Sequence, residues 1–285
     1  MQSDIIWWSI LLEADSTADL DLLGCELIDL GASGTELLEN HQIQCFLQAT
    51  KDGLASFSKN VTSLPLKIIS AEPVPATNWV QKCEEVWQKL EINNLTIIPV
   101  LSLEQGQALP QATAQEIYII PGCGFGTGHH ATTNQATAIL QNEDLKKCCP
   151  KRVLDVGTGS GLLAIAASKL FNASVDAFDN DPDAVANAIE NVTLNNVTSS
   201  VSVCQADAAS WFNGEYDLVI ANLYAELLEK LHDVLYKATK HGAWLLISGF
   251  HSADLPELSR YTDPLWERKE IRKAEGWSAM LLKKY

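Results

Sequence analysis

The sequence predicts an α/β protein in which a doubly wound parallel sheet occupies the larger, C-terminal part and a small α+β domain precedes it. Three observations carry this. From Arg152 onward short apolar strands alternate with amphipathic helices, the grammar of a sheet covered on both faces. The glycine turn Gly157-Thr-Gly-Ser-Gly161 joins the first of those strands to the helix after it. The first stretch of about seventy residues runs instead as strand, helix, two strands, weak helix and strand, and such a change of grammar marks a domain boundary. The predicted division is 1–74 for the small domain, 75–104 for a linker and 105–285 for the larger domain. A chain of 285 residues has room for both.

In the small domain, Ile5 to Glu13 is apolar enough for a strand, and Asp15 and Ser16 end it. Ser16 can cap a helix that carries Leu20, Leu23, Leu27 and Leu30 at helical spacing, with Gly31 and Gly34 closing it. Glu36 to Glu39 and Gln42 to Ala49 then pair as a hairpin across Asn40-His41, and Leu66 to Ala71 adds a strand before Pro73 and Pro75. The simplest assembly is a βαββαβ domain. Thr77 to Leu90 carries an apolar stripe that predicts a linker helix.

In the larger domain the predicted strands are Val153 to Val156, Ser174 to Phe178, Val201 to Gln205, Leu218 to Ala221 and Trp244 to Ser248. The predicted helices are Leu162 to Leu170, Pro182 to Leu194 and Ala225 to Lys240.

Charge narrows the function classes. Thirty-six acidic against 20 basic residues leave a net charge of −16, which repels phosphate backbones and favours a basic partner. Direct binding of nucleic acid is therefore not expected. No apolar run is long enough to span a bilayer, and no Lys or Arg precedes the first short apolar run, so neither a membrane segment nor a targeting peptide is expected. Seven cysteines, odd in number and without a C-x-x-C, read as reduced thiols of a cytoplasmic protein. His129-His130 near Cys123 is the one local candidate for zinc, and no metal is expected.

The chemistry gathers at two glycine-rich segments. A dinucleotide fingerprint G-x-G-x-x-G needs glycine at 157, 159 and 162, but the third of these positions is Leu162 and the spacing is G-x-G-x-G. A pyrophosphate suits a neutral turn at a helix N-terminus. S-adenosylmethionine carries no phosphate but has a sulfonium and an ammonium, so acidic neighbours help it. Asp155 can hold the ammonium, directly or through water. Asp179 ends the second strand 22 residues after Gly157, near the spacing at which a carboxylate meets ribose hydroxyls. Asp181, before Pro182, is read as a helix cap. Asp207, after the third strand, can reach an adenine amino group or simply cap a turn. Asp217 is read as structural. Asn222 ends the fourth strand at the carboxyl edge, where its amide offers a donor and an acceptor. The second segment, Gly122-Cys-Gly-Phe-Gly-Thr-Gly128, leads into His129, His130 and a threonine-rich helix start, as a loop folding over a ligand would.

With these residues in view, the chain resembles the PrmA family of bacterial methyltransferases, which modify a ribosomal large-subunit protein. The resemblance rests on Pro121-Gly-Cys-Gly-Phe-Gly-Thr-Gly-His-His-Ala-Thr-Thr133, on Val153 to Gly161, on Asp217 to Leu223, on Ser248-Gly249-Phe250 and on the strand at Trp277. It implies a Rossmann-like class I methyltransferase sheet with a ferredoxin-like domain that recognises the substrate. It implies S-adenosylmethionine as cofactor, with Thr133, Gly157, Asp179 and Asn222 at its site beside Asp155, Gly159 and Asp207. N-methylation of lysine and N-terminal amines of a basic ribosomal protein, by a monomer, follows from the same resemblance. Departures fall at Ile120, His129, Ala131 and Leu223-Tyr224, where the family usually has Asp, Thr, Pro and Ile-Leu.

Methyl transfer from a sulfonium needs an aligned, neutral amine more than covalent catalysis. Asn222 and His130 are the catalytic candidates, His130 because its reference pKa lies near neutrality, although a histidine there can equally bond the backbone. Another acceptor, a nicotinamide oxidoreductase and a non-catalytic ribosome-binding module are the alternatives, the oxidoreductase disfavoured by Leu162.

Overall fold

The computed structural model describes residues 6–285 except 16, 17, 19, 33, 39, 75–87, 101, 122–125, 209–213 and 262–263, and the side chains at 21, 22, 25, 29 and 37 are also outside its description. Two compact units divide the chain, Met1–Val86 and Trp87–Tyr285. The predicted linker helix falls almost wholly on 75–87, outside the described residues.

In the first unit, β1 (Ile6–Ala14), α1 (Leu20–Asp29), β2 (Gly34–Leu38), β3 (Gln42–Ala49), α2 (Lys51–Val61) and β4 (Leu66–Val74) follow one another. The sheet order is β2-β3-β1-β4 with every neighbouring pair antiparallel, the split βαβ arrangement called ferredoxin-like. Strand alternation buries Trp8, Ile10, Leu12, Ile43, Cys45 and Leu47 on the inner face, where α1 supplies Leu23 and Leu27 and α2 supplies Phe57 and Val61. The β2 to β3 turn is made by Asn40 and His41, both left-handed, as a tight hairpin demands. Thr50 caps α2 by accepting from the amide of Gly53 at 3.1 Å.

The second unit begins with strands where the sequence predicts linker. β5 (Leu90–Ile92) and β6 (Leu95–Pro99) pair antiparallel, and β6 runs parallel to β7 (Glu116–Ile119). Between β6 and β7 lies the short helix α3 (Leu103–Gln107). Buried Ile92, Leu95, Ile97, Ile117 and Ile119 join the main core of the unit, which explains why this segment is folded rather than a tether.

Then come α4 (Ala131–Ile139), α5 (Glu143–Cys148), β8 (Arg152–Val156), α6 (Leu162–Phe171), β9 (Ser174–Asp179), α7 (Pro182–Leu194), β10 (Val201–Gln205), β11 (Tyr216–Asn222), α8 (Ala225–Ala238), β12 (Thr239–His251), β13 (Trp266–Ala274) and β14 (Trp277–Lys284). Their sheet has the order β10-β9-β8-β11-β12-β14-β13. The first five strands are mutually parallel, and β14 runs antiparallel between β12 and β13. The doubly wound sheet is therefore mixed, not purely parallel. Two cores cover its faces: one packs α4 and α6 on Val153, Val175 and Leu218, the other packs α8 on Leu154, Val219 and Leu245.

An asparagine ladder holds β7 to α7. Asn187, Asn191 and Asn195 stand one helical turn apart. Asn195 accepts from the amide of Tyr118 at 3.0 Å and donates to its carbonyl at 2.6 Å, and Asn191 accepts from the amide of Ile120 at 2.7 Å. Side-chain amides thus pair backbone groups that an adjacent strand would otherwise satisfy. No helix among the described residues is long and apolar enough to cross a membrane.

Candidate functional site

The carboxyl ends of β8, β9, β10 and β11 open on one cavity of about 430 Å³, within the range of small-molecule sites. The β8 to α6 turn forms its floor. Gly157, Gly159 and Gly161 all have positive φ, a conformation that disfavours any other residue, and a Cβ at Gly157 would in addition push the end of the Leu223 side chain, 2.6 Å away. The amides of Gly157 and Thr158 donate to the carbonyl of Phe178 at 2.9 and 3.0 Å.

Asp179 ends β9 beside that turn. Its Oδ2 accepts from the amide of Gly159 at 2.9 Å and its Oδ1 from the amide of Asp181 at 3.1 Å, which fixes the carboxylate at the cavity wall. Asp181 accepts from the amide of Asp183 at 2.9 Å with Pro182 in the first turn of α7, the capping duty the sequence predicts. It also lines the cavity, as does Asp207 after β10. Three carboxylates thus share the wall with one ammonium, Lys230, a field that favours a cationic ligand.

Asp155 lies beneath this floor and is 1% exposed. It accepts from Thr158 Oγ1 at 2.6 Å. Burial pushes its carboxyl up to about 7, against the pull of the Thr158 hydroxyl and with a further push from the charge of Asp179.

Thr133 and Asn222 form the opposite wall, where Asn222 Nδ2 donates to Thr133 Oγ1 at 3.2 Å. Asn222 Oδ1 is buried without a hydrogen-bond partner among the described residues. A buried unpaired carbonyl costs about 1–3 kcal/mol, so a donor from a ligand is the natural complement. Ser248 and Gly249 support this wall: Ser248 Oγ donates to the carbonyl of Thr132 at 3.0 Å, and the amide of Leu223 donates to the carbonyl of Ser248 at 2.9 Å. A Cβ at Gly249 would meet the Leu223 backbone at 2.5 Å.

Thr133, Gly157, Gly159, Asp179, Asp207 and Asn222 are therefore brought together around one cavity, with Asp155 below it. His130 has a different place. Its Nδ1 accepts from the amide of Thr132 at 3.3 Å as the N-cap of α4, and its ring meets Trp277 edge-on at 4.9 Å. The same nitrogen lies 2.8 Å from Thr132 Oγ1, so Nδ1 faces the first turn of α4. Of the glycine-rich loop, Gly122, Cys123, Gly124 and Phe125 lie outside the described residues. Gly126 lines the cavity, and its carbonyl accepts from Ser160 Oγ at 2.9 Å.

Sequence reasoning did not single out Thr158, Leu227, Lys230 and Leu231, although all four line the cavity. The spacing of Leu227, Lys230 and Leu231 puts them on one face of α8, yet periodicity alone does not say that this face meets a ligand. Asp217 sits at the other end of the sheet, where it accepts from the amides of Lys151 and Arg152 and from Lys240 Nζ at 2.6 Å. That is the structural role the sequence predicts. No group of three or more His, Cys, Asp or Glu among the described residues is placed to hold a metal ion.

Comparison with known proteins agrees with this geometry. The sequence model of the family described as "Ribosomal protein L11 methyltransferase (PrmA)" matches residues 14–285. A ribosomal protein L11 methyltransferase of Exiguobacterium sp. is 34% identical over 218 residues, 76% of this chain and 68% of that protein. Its counterpart in Deinococcus radiodurans is 36% identical over 205 residues, 68% of this chain and 71% of that protein. A crystal structure of a ribosomal protein L11 methylase from Lactobacillus delbrueckii subsp. bulgaricus superposes with a TM-score of 0.60 at 28% identity, covering 70% of this chain and all of the other, 100%.

Proposed function

The chain belongs to the ribosomal protein L11 methyltransferase (PrmA) family, and we propose from that premise that it methylates lysine side chains and the N-terminal amine of the ribosomal large-subunit protein L11. S-adenosylmethionine is the donor, supplying a methyl group already activated on a sulfonium. The residues fit that cofactor. The glycine turn takes an uncharged ligand surface at close range, Asp179 accepts from the ribose hydroxyls, Asp207 reaches the adenine edge, and Asp155 answers the ammonium through the floor. Thr133 and Gly157 shape the walls between them.

The single observation that supports amine chemistry is Asn222 Oδ1. It is a buried acceptor without a donor among the described residues, in the wall of a cavity rich in carboxylates. An amine N–H supplies the missing donor, and accepting from it turns the nitrogen lone pair toward the methyl group. An amide does not titrate, so Asn222 orients the amine and does not take its proton. A lysine amine with a reference pKa of about 10.4 arrives mostly protonated. The apolar wall of Leu223, Leu227 and Leu231 disfavours the charged form and promotes deprotonation.

Recognition of the acceptor falls, on this reading, to the ferredoxin-like unit. A basic ribosomal protein suits a chain with a net charge of −16. A cytoplasmic monomer that does not contact nucleic acid directly completes the proposal.

Asn222→Ala tests it. Turnover on the ribosomal acceptor should fall at least about a hundredfold, and by more than any loss of affinity for S-adenosylhomocysteine, since the residue also lines the cofactor cavity. Undiminished turnover would contradict the orienting role.

A further inference from the structure

Beyond the contacts assigned above, the cavity carries a large aromatic side chain that neither the fold nor the cofactor contacts explain. Tyr224 lies two residues past Asn222, lines the same cavity, and is 61% exposed. It is the N-cap residue of α8, yet its side chain makes no capping bond; the capping contacts are its carbonyl accepting from the amides of Leu227 and Leu228 at 3.1 Å. Among the described residues, then, capping does not account for an exposed aromatic at this cavity.

We propose that Tyr224 is the platform for the acceptor, its ring receiving the ammonium of the lysine as it enters and packing against the methylene stem once the deprotonated amine has moved on to Asn222. The inference rests on the amine-methylation reading above and names the side chain that selects the acceptor. Three features support it. An aromatic face attracts an ammonium electrostatically, and the same ring offers apolar surface to a lysine stem. Asp179, Asp181 and Asp207 outnumber Lys230 around the cavity, so a cation is drawn toward the mouth that Tyr224 flanks. Finally, the order Asn222-Leu223-Tyr224 puts the orienting acceptor and the ring two positions apart on one short segment. The amide of Leu223 donates a hydrogen bond to the Ser248 carbonyl at 2.9 Å, which holds the backbone that carries both side chains.

The test is steady-state methylation of the ribosomal acceptor by Tyr224→Ala, Tyr224→Leu and Tyr224→Phe. Tyr224→Ala should raise the acceptor KM about tenfold, with kcat and the Kd for S-adenosylhomocysteine each within about twofold of wild type. Tyr224→Phe, which keeps the ring, should restore the KM to within about twofold; Tyr224→Leu should recover only part of it, since it keeps apolar contact without the aromatic face. An unchanged KM in Tyr224→Ala overturns the proposal, and so does full recovery by leucine. If wild type binds S-adenosylhomocysteine but methylates no ribosomal protein, the acceptor reading fails separately. Tyr224 is then tested by saturation-transfer NMR of Nα-acetyl-Nε-trimethyllysine amide with the S-adenosylhomocysteine-bound protein. Transfer to the trimethylammonium protons that Tyr224→Ala abolishes upholds the platform; equal transfer in the variant, or none in wild type, overturns it.

Discussion

Asn222 donates from Nδ2 to Thr133 Oγ1 at 3.2 Å across 89 positions of sequence. The bond ties the end of β11 to the first turn of α4, and Ser248 ties both to β12 through the Thr132 carbonyl and the Leu223 amide. Three separate stretches of chain therefore set the direction of one amide. Its nitrogen is used within the protein, and its oxygen has no hydrogen-bond partner among the described residues. An amide held this way is preorganised: its direction is set before a ligand arrives.

The ribose assignment predicts that Asp179→Ala weakens S-adenosylmethionine binding at least about tenfold, a loss of about 1.4 kcal/mol or more. The change also removes the acceptor for the Gly159 amide at 2.9 Å, so circular dichroism must confirm that the variant is folded. Calorimetry finding wild-type affinity in a folded variant contradicts the assignment.

Asp155 makes stability depend on pH. Its carboxyl is pushed up to about 7 by burial, above its reference value of about 3.9 in an unfolded chain. Its contribution is therefore fully present below about pH 4 and is lost as pH rises through about 7, because the folded protein must then carry a buried charge. Asp155→Asn has no proton to lose. Urea midpoints of the ligand-free protein should fall more between pH 4.5 and 7.5 in wild type than in the variant, by about 1 kcal/mol or more. Parallel midpoints in the two proteins contradict the buried-acid account.

Asn191 is fully buried, accepts from the amide of Ile120 and donates to the carbonyl of Ser160 at 2.9 Å. It thus links β7 to the glycine turn as well as to α7. Asn191→Ala leaves the Ile120 amide and the Ser160 carbonyl without this partner, and should destabilise the protein by about 2–4 kcal/mol in equilibrium unfolding. A loss under about 1 kcal/mol would show that the ladder is replaceable by solvent.

Much of this was legible in the sequence because it depends on local rules. The strand, glycine turn and helix from Val153 to Leu170 are announced by an apolar run and three glycines, and α7 appears with its predicted bounds because Asp181-Pro182 caps it. The βαββαβ order of the first unit follows from periodicity and turn residues alone. What stayed hidden depends on tertiary context. Leu90–Ile92 and Leu95–Pro99 are too short to declare strands, although the left-handed Asn93 between them marks their turn. Trp266–Ala274 is dense in charge, as suits the edge strand it proves to be. The asparagines of α7 read as a solvated face until β7 is seen beside them. His130 could be read as a proton carrier or as a cap, and the structure shows the cap contact, with Nδ1 3.3 Å from the Thr132 amide. Tyr224 and Lys230 lie at the cavity because α8 presents one face to it, which no single-helix pattern reveals.

The central claim, amine methylation of the ribosomal protein, is tested most directly by intact-mass spectrometry of purified L11 after incubation with this protein and S-adenosylmethionine. The account predicts mass gains in steps of about 14 Da, one per methyl transferred, which disappear in Asn222→Ala. An unchanged L11 mass, with S-adenosylmethionine binding established by calorimetry on the same preparation, would contradict it and leave a methyltransferase whose acceptor lies elsewhere.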